Sequence, residues 1–256
     1  MKVAVAGATG RVGRHIVEVL ETRGHHAVRI SRSEGVDVIS GEGLDPALAG
    51  VEAVIDAATG PSPDKDESTA FFTTAARNLH KSGARAGVQR LVTVSIIGID
   101  DFVGGYSAGK LAHEKETLAG PVPARIVRAS QFHEFVEQLV QWGTQGDVAY
   151  VPNYRTQPVA ALSVAEVLVD VATAPEFSSD QDATGRPFLE VAGPREESFV
   201  AIAELLVARR ASGLTVQQVS NPDDPDAVLS EQGSLLPSAQ AILTGPTFEE
   251  WLDANG

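Results

Sequence analysis

The sequence predicts an α/β fold in which helices cover both faces of a doubly wound parallel sheet. Two observations carry this prediction. Short strands alternate with helical segments through about the first 130 residues, beginning with Lys2 to Ala6 and an amphipathic segment that ends at Gly24. The strands are continuous apolar runs, which are typical of strands covered on both faces.

The order of the predicted elements favours right-handed crossovers between parallel strands. After the first strand, strands are predicted at Ala27 to Ser31, Val36 to Ile39, Glu52 to Ala58, Arg90 to Ser95 and Ala124 to Ala129. The later helices of this region are predicted at Thr69 to His80 and Tyr106 to Leu118.

Beyond about residue 130 the pattern is less regular. Helices are predicted at Gln131 to Trp142, Val164 to Ala172 and Phe199 to Arg210. A strand is predicted at Pro187 to Val191, and extended loops at Val148 to Pro158 and Asn221 to Asp226. We therefore predict two domains, residues 1–130 and a smaller substrate-binding lobe of residues 131–256 with elements that return to the first domain.

Composition excludes several classes of protein. The formal net charge is −14, from 20 basic and 34 acidic side chains, whereas nucleic-acid binding needs clustered cations. The absence of cysteine excludes disulfides, thiolate metal sites and cysteine nucleophiles. No apolar run approaches the roughly 18–20 residues of a membrane helix, and Met1 leads directly into a strand without room for a signal peptide. We expect a cytoplasmic monomer or homodimer that binds neither nucleic acid nor membrane.

A glycine-rich turn joins the first strand to the first helix. Its sequence from Gly7 to Gly13, GATGRVG, has the spacing GxxGxxG. A dinucleotide pyrophosphate must approach the backbone closely, which a Cβ atom prevents, and the free N–H groups of a helix N-terminus bind it. The turn therefore predicts a Rossmann-type dinucleotide site rather than an incidental glycine-rich loop. The residues assigned to the cofactor here are Gly7, Thr9, Gly10, Arg11, Val12 and Gly13.

The end of the second predicted strand distinguishes the two nicotinamide cofactors. NAD-specific folds place an acid there, on the ribose hydroxyls. Here Ser31 and Arg32 occupy that place, and no acid occurs until Glu34. A guanidinium pairs well with a 2′-phosphate, and Arg11 adds a second cation. We predict NADP(H) rather than NAD(H), the alternative being that both arginines are solvated surface residues.

With these motifs the sequence resembles the short-chain dehydrogenase/reductase superfamily, in particular its atypical NmrA-like branch, over nearly the whole chain. The likeness lies in the glycine turn, the arginine after the second strand, and the segments Asp56 to Thr59, Tyr106 to Lys110, Val127 to His133 and Thr247 to Leu252. It implies an NAD(P)-dependent oxidoreductase and adds Ala57, Ala58 and Thr59 to the cofactor site.

The resemblance also implies a catalytic set of Ser95, Tyr106 and Lys110. Tyr106 and Lys110 are spaced i, i+4 and so share one helix face. An ammonium beside a phenol lowers the phenol's pKa, and the family's lysine also holds the nicotinamide ribose. Ser95 ends a predicted strand at the carboxyl edge, where its hydroxyl can stabilise an oxyanion. The alternative is that Tyr106 is a capping aromatic residue and Lys110 a surface charge.

Gln131, Phe132 and His133 follow the sixth predicted strand, and we assign them to substrate binding. A structural role is the alternative for His133. By contrast, His113 lies in the charged run HEKE, which indicates a solvated helix face. No histidine pair has the spacing of a metal site, so we predict no metal.

The leading interpretation is an NADPH-dependent oxidoreductase that reduces a small apolar carbonyl, quinone or conjugated substrate, with Tyr106 as proton donor. One alternative is a regulatory protein that senses NADP(H) without turning it over. Another is a nucleotide-sugar epimerase or dehydratase, which needs a cationic clamp for the substrate pyrophosphate. The candidates for that clamp are Arg155, Arg186 and Arg195.

Overall fold

The structure is a computed structural model that describes residues 1–177, 188–220 and 224–255. Its strands are β1 (Lys2–Ala6), β2 (His26–Ile30), β3 (Ala53–Asp56), β4 (Arg90–Ile96), β5 (Ala124–Ala129), β6 (Thr144–Gln145), β7 (Val148–Pro152), β8 (Arg155–Thr156), β9 (Phe188–Ala192), β10 (Glu197–Ser198), β11 (Thr215–Val219) and β12 (Ile242–Leu243). Its helices are α1 (Gly13–Thr22), α2 (Leu44–Ala47), α3 (Lys65–Ala86), α4 (Gly105–Ala119), α5 (His133–Gly143), α6 (Ala161–Thr173), α7 (Phe199–Arg209), α8 (Ala227–Glu231) and α9 (Phe248–Asn255).

Seven parallel strands form the main sheet, in the order β12-β9-β5-β4-β3-β1-β2. β1 pairs with both β2 and β3, so that Ala6 has Ile30 on one side and Asp56 on the other. The strand order therefore reverses at β1, and the carboxyl ends of β1 and β3 flank the switch point at which open α/β sheets bind ligands. The doubly wound α/β fold predicted from the sequence is confirmed.

The chain divides into two compact units, each with its own core. The first unit comprises Met1–Ser95, Gly105–Arg128 and Val164–Leu189. One of its core clusters is aliphatic and includes Ile30, Leu44 and Leu48, all fully buried. Burying a large aliphatic side chain contributes about 1.5–3 kcal/mol, so this cluster is what holds α2 and α3 on the face of the sheet.

The second unit comprises Ile96–Gly104, Ala129–Ser163 and Glu190–Gly256. Its core cluster is more aromatic, because Phe199 and Phe248 are buried in it and Trp251 packs against it. A small sheet belongs to this unit, with β7 between antiparallel β6 and parallel β11. The domain boundary at residue 130 stays a prediction.

Two segments differ from their predicted structures. The strand predicted at residues 36–39 is absent; the chain there forms turns in which the Asp37 N–H donates to the Glu42 carbonyl (2.9 Å). Neighbouring glycines with positive φ favour turning over extension. The loop predicted at residues 148–158 instead contains β7 and β8. Pro152 is the last residue of β7, so its missing N–H does not interrupt the strand.

The third helix begins earlier than predicted because of its cap. The Asp64 carboxylate accepts hydrogen bonds from the N–H groups of Asp66 and Glu67, and α3 therefore starts at residue 65. It ends at Ala86, and the following Gly87, with a φ of 76°, terminates the helix.

Some predicted features lie outside the described residues, namely Arg186, Pro187 and residues 221–223. Within the described ranges, no helix combines the length and the apolar character needed to cross a membrane.

Candidate active site

The turn between β1 and α1 is built almost wholly from backbone. The Gly7 N–H donates to the Ile30 carbonyl (3.0 Å), and the Gly10 N–H donates to the Gly7 carbonyl (2.9 Å). α1 begins at Gly13, and the side chain of Val12 provides no cap for its first N–H groups. Uncapped N–H groups at the positive end of a helix dipole are what an anionic ligand binds.

The three glycines of this turn are needed for different reasons. Gly7 has a φ of +74°, and a Cβ atom there would lie 2.6 Å from the Ala57 carbonyl oxygen. A Cβ atom on Gly13 would lie 2.0 Å from the Gly7 carbonyl oxygen. On Gly10 it would approach only that same oxygen, at 3.2 Å. The fold itself therefore requires Gly7 and Gly13, whereas a side chain on Gly10 would mainly obstruct a ligand.

A cavity of about 520 Å³ lies beside this turn. Its volume is within the usual range of ligand pockets. Three segments line it: the turn, the end of β2 with the residues after it, and the residues after β3. The lining residues that the sequence assigns to the cofactor are Gly7, Thr9, Gly10, Ser31, Arg32, Ala57, Ala58 and Thr59.

The residues after β2 give one end of this cavity its polar groups. Arg32 is exposed and lines the cavity with Ser31 and Ser33, whose hydroxyls hydrogen-bond each other (2.9 Å). Asp37, which the sequence analysis does not assign to the site, also lines it, and its carboxylate accepts from the Ile39 N–H (2.8 Å). The guanidinium and the one hydroxyl hydrogen that this bond leaves free offer donors to a phosphate.

Tyr106 lies in the first turn of α4. Its hydroxyl hydrogen-bonds the Thr59 hydroxyl (2.9 Å), and its ring packs edge-on against Phe72 with the centroids 5.3 Å apart. Burial raises the pKa of Tyr106 above its ordinary value, while the Thr59 hydrogen bond acts in the opposite direction. The prediction that a lysine ammonium lowers this pKa is wrong here, because the ammonium of Lys110 bonds to a different group.

Lys110 is a buried cation, with 3% of its surface exposed. Its ammonium donates to Nδ1 of His113 (3.2 Å) and lies 4.3 Å from the centre of the Phe72 ring. Burial lowers the pKa of Lys110 to about 8, although the charges of Asp56 and Glu114 act to raise it. The alternative that Lys110 is a surface charge does not hold.

Asp56 and His113, each 1% exposed, complete what we call the Lys110 cluster (Asp56, Lys110 and His113). The His113 Nε2–H donates to Asp56 Oδ2 (2.9 Å), and the Ala58 N–H donates to Asp56 Oδ1 (3.0 Å). Burial acts to raise the pKa of Asp56, but the interaction with His113, the Ala58 bond and the Lys110 charge together lower it. The prediction that His113 lies on a solvated face is wrong, because the ring is buried and stacks on Phe72.

Two contacts fix the face of α4 that carries this cluster. A Cβ atom on Gly109 would lie 2.6 Å from the Cβ of Ser68 in α3, so the two helices approach closely. Glu114 is buried and accepts two hydrogen bonds from the Arg128 guanidinium (2.9 and 2.8 Å). Bidentate pairs of this kind add directional specificity as well as energy.

Ser95 is 3% exposed in β4, and its hydroxyl has no hydrogen-bond partner among the described residues. The hydroxyls of Thr93 and Thr117 in the same unit are also buried without a partner among these residues, so this feature does not by itself distinguish Ser95. Within the described residues, no hydrogen bond joins Ser95, Tyr106 and Lys110 to one another. The predicted catalytic set is therefore not a connected network in the protein alone.

Gln131, Phe132 and His133 belong to the second unit. His133 is 1% exposed; its Nε2–H donates to the Pro246 carbonyl (3.1 Å), while Nδ1 has no partner among the described residues. Burial lowers the pKa of His133 to about 4, against the effect of the Pro246 bond. Gln131 and Phe132 are half-buried. The enclosed ring agrees with the structural alternative for His133, and a substrate role for all three stays a prediction.

Two of the three arginines considered for a cationic clamp are already paired with carboxylates. Arg155 bonds to Glu196 (2.7 Å) and Arg195 to Glu197 (3.1 Å). In the parts of the chain that the structure describes, no group of three or more potential metal ligands occurs.

The positions of His113 and Glu114, which were not assigned to the site from the sequence, follow a periodicity that is visible there. Tyr106, Lys110, His113 and Glu114 are spaced i, i+4, i+7 and i+8, which places all four on one helix face. The run HEKE is charged throughout and so suggests a uniformly solvated face. In the structure only Lys115 of its first three residues is exposed, and the two residues before it are buried.

A family model described as NAD(P)H-binding matches residues 7–175 of the chain. This range begins at the glycine turn and includes the cavity lining and the whole Lys110 cluster.

Two curated proteins are similar over shorter stretches. The photosystem II assembly factor Ycf39 of a Synechocystis species is 32% identical over 111 residues, which are 38% of this chain and 34% of that protein. The (4-alkanoyl-5-oxo-2,5-dihydrofuran-3-yl)methyl phosphate reductase of Streptomyces griseus is 32% identical over 184 residues, which are 64% of this chain and 60% of that protein. The chain thus spans about a third and about three fifths of these relatives.

Solved structures share the fold at low sequence identity. The NADPH-dependent quinone oxidoreductase QOR2 of Escherichia coli, solved with NADPH, aligns with a TM-score of 0.74 at 16% identity, covering 99% of each chain.

Proposed function

We propose, from the premise that this chain belongs to the NAD(P)H-binding family, that it is an NADPH-dependent oxidoreductase for a small apolar carbonyl, quinone or conjugated substrate. One observation carries the proposal. The cavity at the switch point is lined by the glycine turn, by Arg32 and by Thr59, and Thr59 bonds the hydroxyl of Tyr106. The same cavity therefore connects a candidate phosphate site with a contact of the candidate proton donor.

The residues around this cavity fit a dinucleotide. The first turn of α1 would hold the pyrophosphate, because its N–H groups lack a side-chain cap and Gly10 presents no Cβ atom. Arg32 and Ser31 would hold a 2′-phosphate. The family description covers both cofactors, so the preference for NADPH over NADH rests on Arg32.

The side chains near α4 would carry the chemistry. When bound, the cofactor supplies the hydride of the reduction. Tyr106 would donate the proton, since its hydroxyl lies within hydrogen-bond distance of Thr59, which lines the cavity. Lys110 has three N–H donors, of which His113 uses one, so donors remain for a ribose hydroxyl. The unpaired Ser95 hydroxyl would donate to the substrate oxygen.

The similar proteins support a reductase without identifying its substrate. The Streptomyces griseus relative is named as a reductase, and QOR2 as a quinone oxidoreductase. Because the chain spans three fifths of the first and shares only the fold with the second, the apolar substrate is our proposal. The cytoplasmic location and the monomeric or homodimeric state belong to the same proposal.

Fluorescence titration with NADPH and NADH tests the proposal, followed by a panel of quinones, aldehydes, ketones and enones monitored by nicotinamide absorbance. We expect tighter binding of NADPH and its consumption with at least one acceptor. Failure to bind either cofactor would contradict the dinucleotide site. Binding without turnover of any acceptor would contradict the oxidoreductase.

A protein that binds NADP(H) without turnover is the second candidate. It is favoured by the absence, among the described residues, of a hydrogen bond from Tyr106 to Ser95 or Lys110, and Ycf39 is named as an assembly factor. A sensor would bind the oxidised and reduced cofactors with different affinities and consume neither, which the same titrations measure.

A further inference from the structure

Three buried side chains of the first unit form a relay of hydrogen bonds that runs from Asp56 through His113 to Lys110. We propose that Asp56 and His113 are positioning residues: Asp56 fixes the tautomer of a neutral His113 ring, and that ring accepts a hydrogen bond from Lys110 and sets the direction of its ammonium. The use of this relay in catalysis rests on the proposed function. The relay itself is a property of the protein alone.

The direction of the relay follows from its donors and acceptors. An ammonium can only donate, so Nδ1 of His113, 3.2 Å from Lys110 Nζ, carries no proton. Nε2 then carries the proton that it donates to Asp56 Oδ2, 2.9 Å away. Because Oδ1 of Asp56 accepts from the Ala58 N–H, the carboxylate cannot turn without breaking a buried hydrogen bond. One tautomer satisfies all these bonds.

The other polar groups near the relay are already engaged. Glu114 projects from the same helix, but its carboxylate is held by Arg128. Tyr106, one turn before Lys110, bonds to Thr59. Hydrogen bonds therefore link the Lys110 ammonium to the carboxylate of Asp56 by way of His113, whereas the charge of Glu114 acts on it only through space.

The His113 ring is suited to this role because it stays neutral. Burial and the Lys110 charge lower the pKa of His113, although Asp56 and Glu114 act to raise it. The ring stacks on Phe72, whose face also lies 4.3 Å from the Lys110 ammonium. A cation and an anion are thus joined through an uncharged ring whose orientation is fixed by packing and by one carboxylate.

This arrangement prepares Lys110 before any ligand is bound. A buried ammonium without an acceptor loses its proton readily, and a flexible lysine side chain has several rotamers to lose on binding. The acceptor on His113 opposes both effects. The donors that His113 does not use are therefore held in fixed directions, which is what a pre-organised site requires.

Nitrogen-15 NMR of the full chain, labelled at histidine, tests the relay without cofactor or substrate. The His113 signals are assigned by their loss in His113→Asn. We expect a protonated Nε2 and an unprotonated Nδ1 at pH 7. A protonated Nδ1 at pH 7 would overturn the proposal, whatever the activity of the protein.

Asp56→Asn reverses the relay at nearly constant volume. The amide oxygen accepts from the Ala58 N–H, which leaves the NH₂ group facing His113 and selects the tautomer with a protonated Nδ1. That nitrogen cannot accept from Lys110. We expect NADPH affinity to fall above about pH 8 in the parent protein, as Lys110 loses its proton. In Asp56→Asn this fall should begin at lower pH, since the Asp56 charge that raises the Lys110 pKa is lost, and the nitrogen-15 spectrum of the variant should show the His113 proton on Nδ1.

His80→Gln is the matched control. His80 is also buried in the first unit, but it bonds to backbone: Nε2 donates to the Thr117 carbonyl (2.8 Å), and Nδ1 accepts from the Val122 N–H (3.3 Å). This variant should lose stability and keep the parent pH dependence of NADPH affinity. An equal shift in both variants, or no shift in Asp56→Asn, would overturn the proposal.

These measurements separate the relay from the proposed function. If NADPH does not bind or no acceptor is reduced, the proposed function fails, and the tautomer of His113 still decides the relay. If Asp56→Asn and His113→Asn do not fold, contacts between the rings of His113 and Phe72 in the parent protein assign the same NMR signals.

Discussion

The glycine turn and the Lys110 cluster lie in the same unit but maintain their geometry in opposite ways. The turn uses backbone hydrogen bonds at Gly7 and Gly10, with no side chain in either bond. The cluster uses three buried side chains from the end of β3 and from α4. Substitutions in the turn are therefore restricted by steric clash, and one added methyl group is enough to disturb it. Substitutions in the cluster are restricted by charge, because its hydrogen bonds depend on which nitrogen of His113 carries the proton.

Gly10→Val should have the largest effect, because it removes the function of the turn and leaves its fold. Its Cβ atom would meet only the Gly7 carbonyl oxygen, at 3.2 Å, while the branched side chain would enter the cavity. We expect NADPH binding to fall below detection in fluorescence titration, with the circular dichroism of the parent. Gly13→Ala is the control that should lose the fold. Parent-like affinity in Gly10→Val would contradict the dinucleotide site.

Tyr106→Phe tests the side-chain region by removing one hydroxyl. Positioned general acids contribute about 10²–10⁴-fold, so turnover should fall by that factor at unchanged NADPH affinity. Lys110→Met, which keeps the length but not the charge, should lose both rate and affinity, and Ser95→Ala mainly rate. The measurement is steady-state kinetics beside cofactor titration. A Tyr106→Phe variant with parent turnover would mean that water protonates the product.

Arg32→Ala should weaken NADPH binding and leave NADH binding nearly unchanged. A charged hydrogen bond contributes roughly 1.5–3 kcal/mol, which corresponds to about ten- to a hundredfold in affinity. Arg29→Ala is the control, since Arg29 is also exposed but pairs with Glu21 outside the cavity lining. Equal losses for both cofactors in Arg32→Ala would show that Arg32 does not bind the 2′-phosphate.

His133 extends the comparison to a buried histidine with one unpaired ring nitrogen. Its folded-state pKa is lowered from 6.5 to about 4, so between these values only the unfolded chain binds the proton, and stability falls as the pH falls. At pH 5.5 this costs about 1.2 kcal/mol relative to pH 7.

Urea denaturation at pH 7 and pH 5.5 measures this effect. The loss of stability between the two pH values should be about 1.2 kcal/mol smaller in His133→Gln than in the parent. Val136→Ala, a buried apolar position on the same helix, should lower stability equally at both. An equal loss in His133→Gln and in the parent would show that protonation of His133 is not the cause of the lower stability at pH 5.5.

The predictable parts of this protein have local signals. β1 and β5 have the predicted bounds, and the turn is evident from three glycines placed after a strand. The prediction of a strand at residues 36–39 was wrong, because a short apolar run is compatible with a turn as well as with a strand. The Lys110 cluster joins Asp56 to a histidine 57 residues away. Whether these two residues meet depends on how α4 packs in the folded protein, and a local sequence pattern does not predict such packing.

Gly109 restricts how this protein can be re-engineered. It precedes Lys110 and lies against Ser68 of α3 with no room for a methyl group. A mutant library that randomises the start of α4 to change substrate range would, at this one codon, mostly produce clones with displaced helices. Directed evolution should keep glycine at 109 and place its diversity on the half-buried side chains of the same helix.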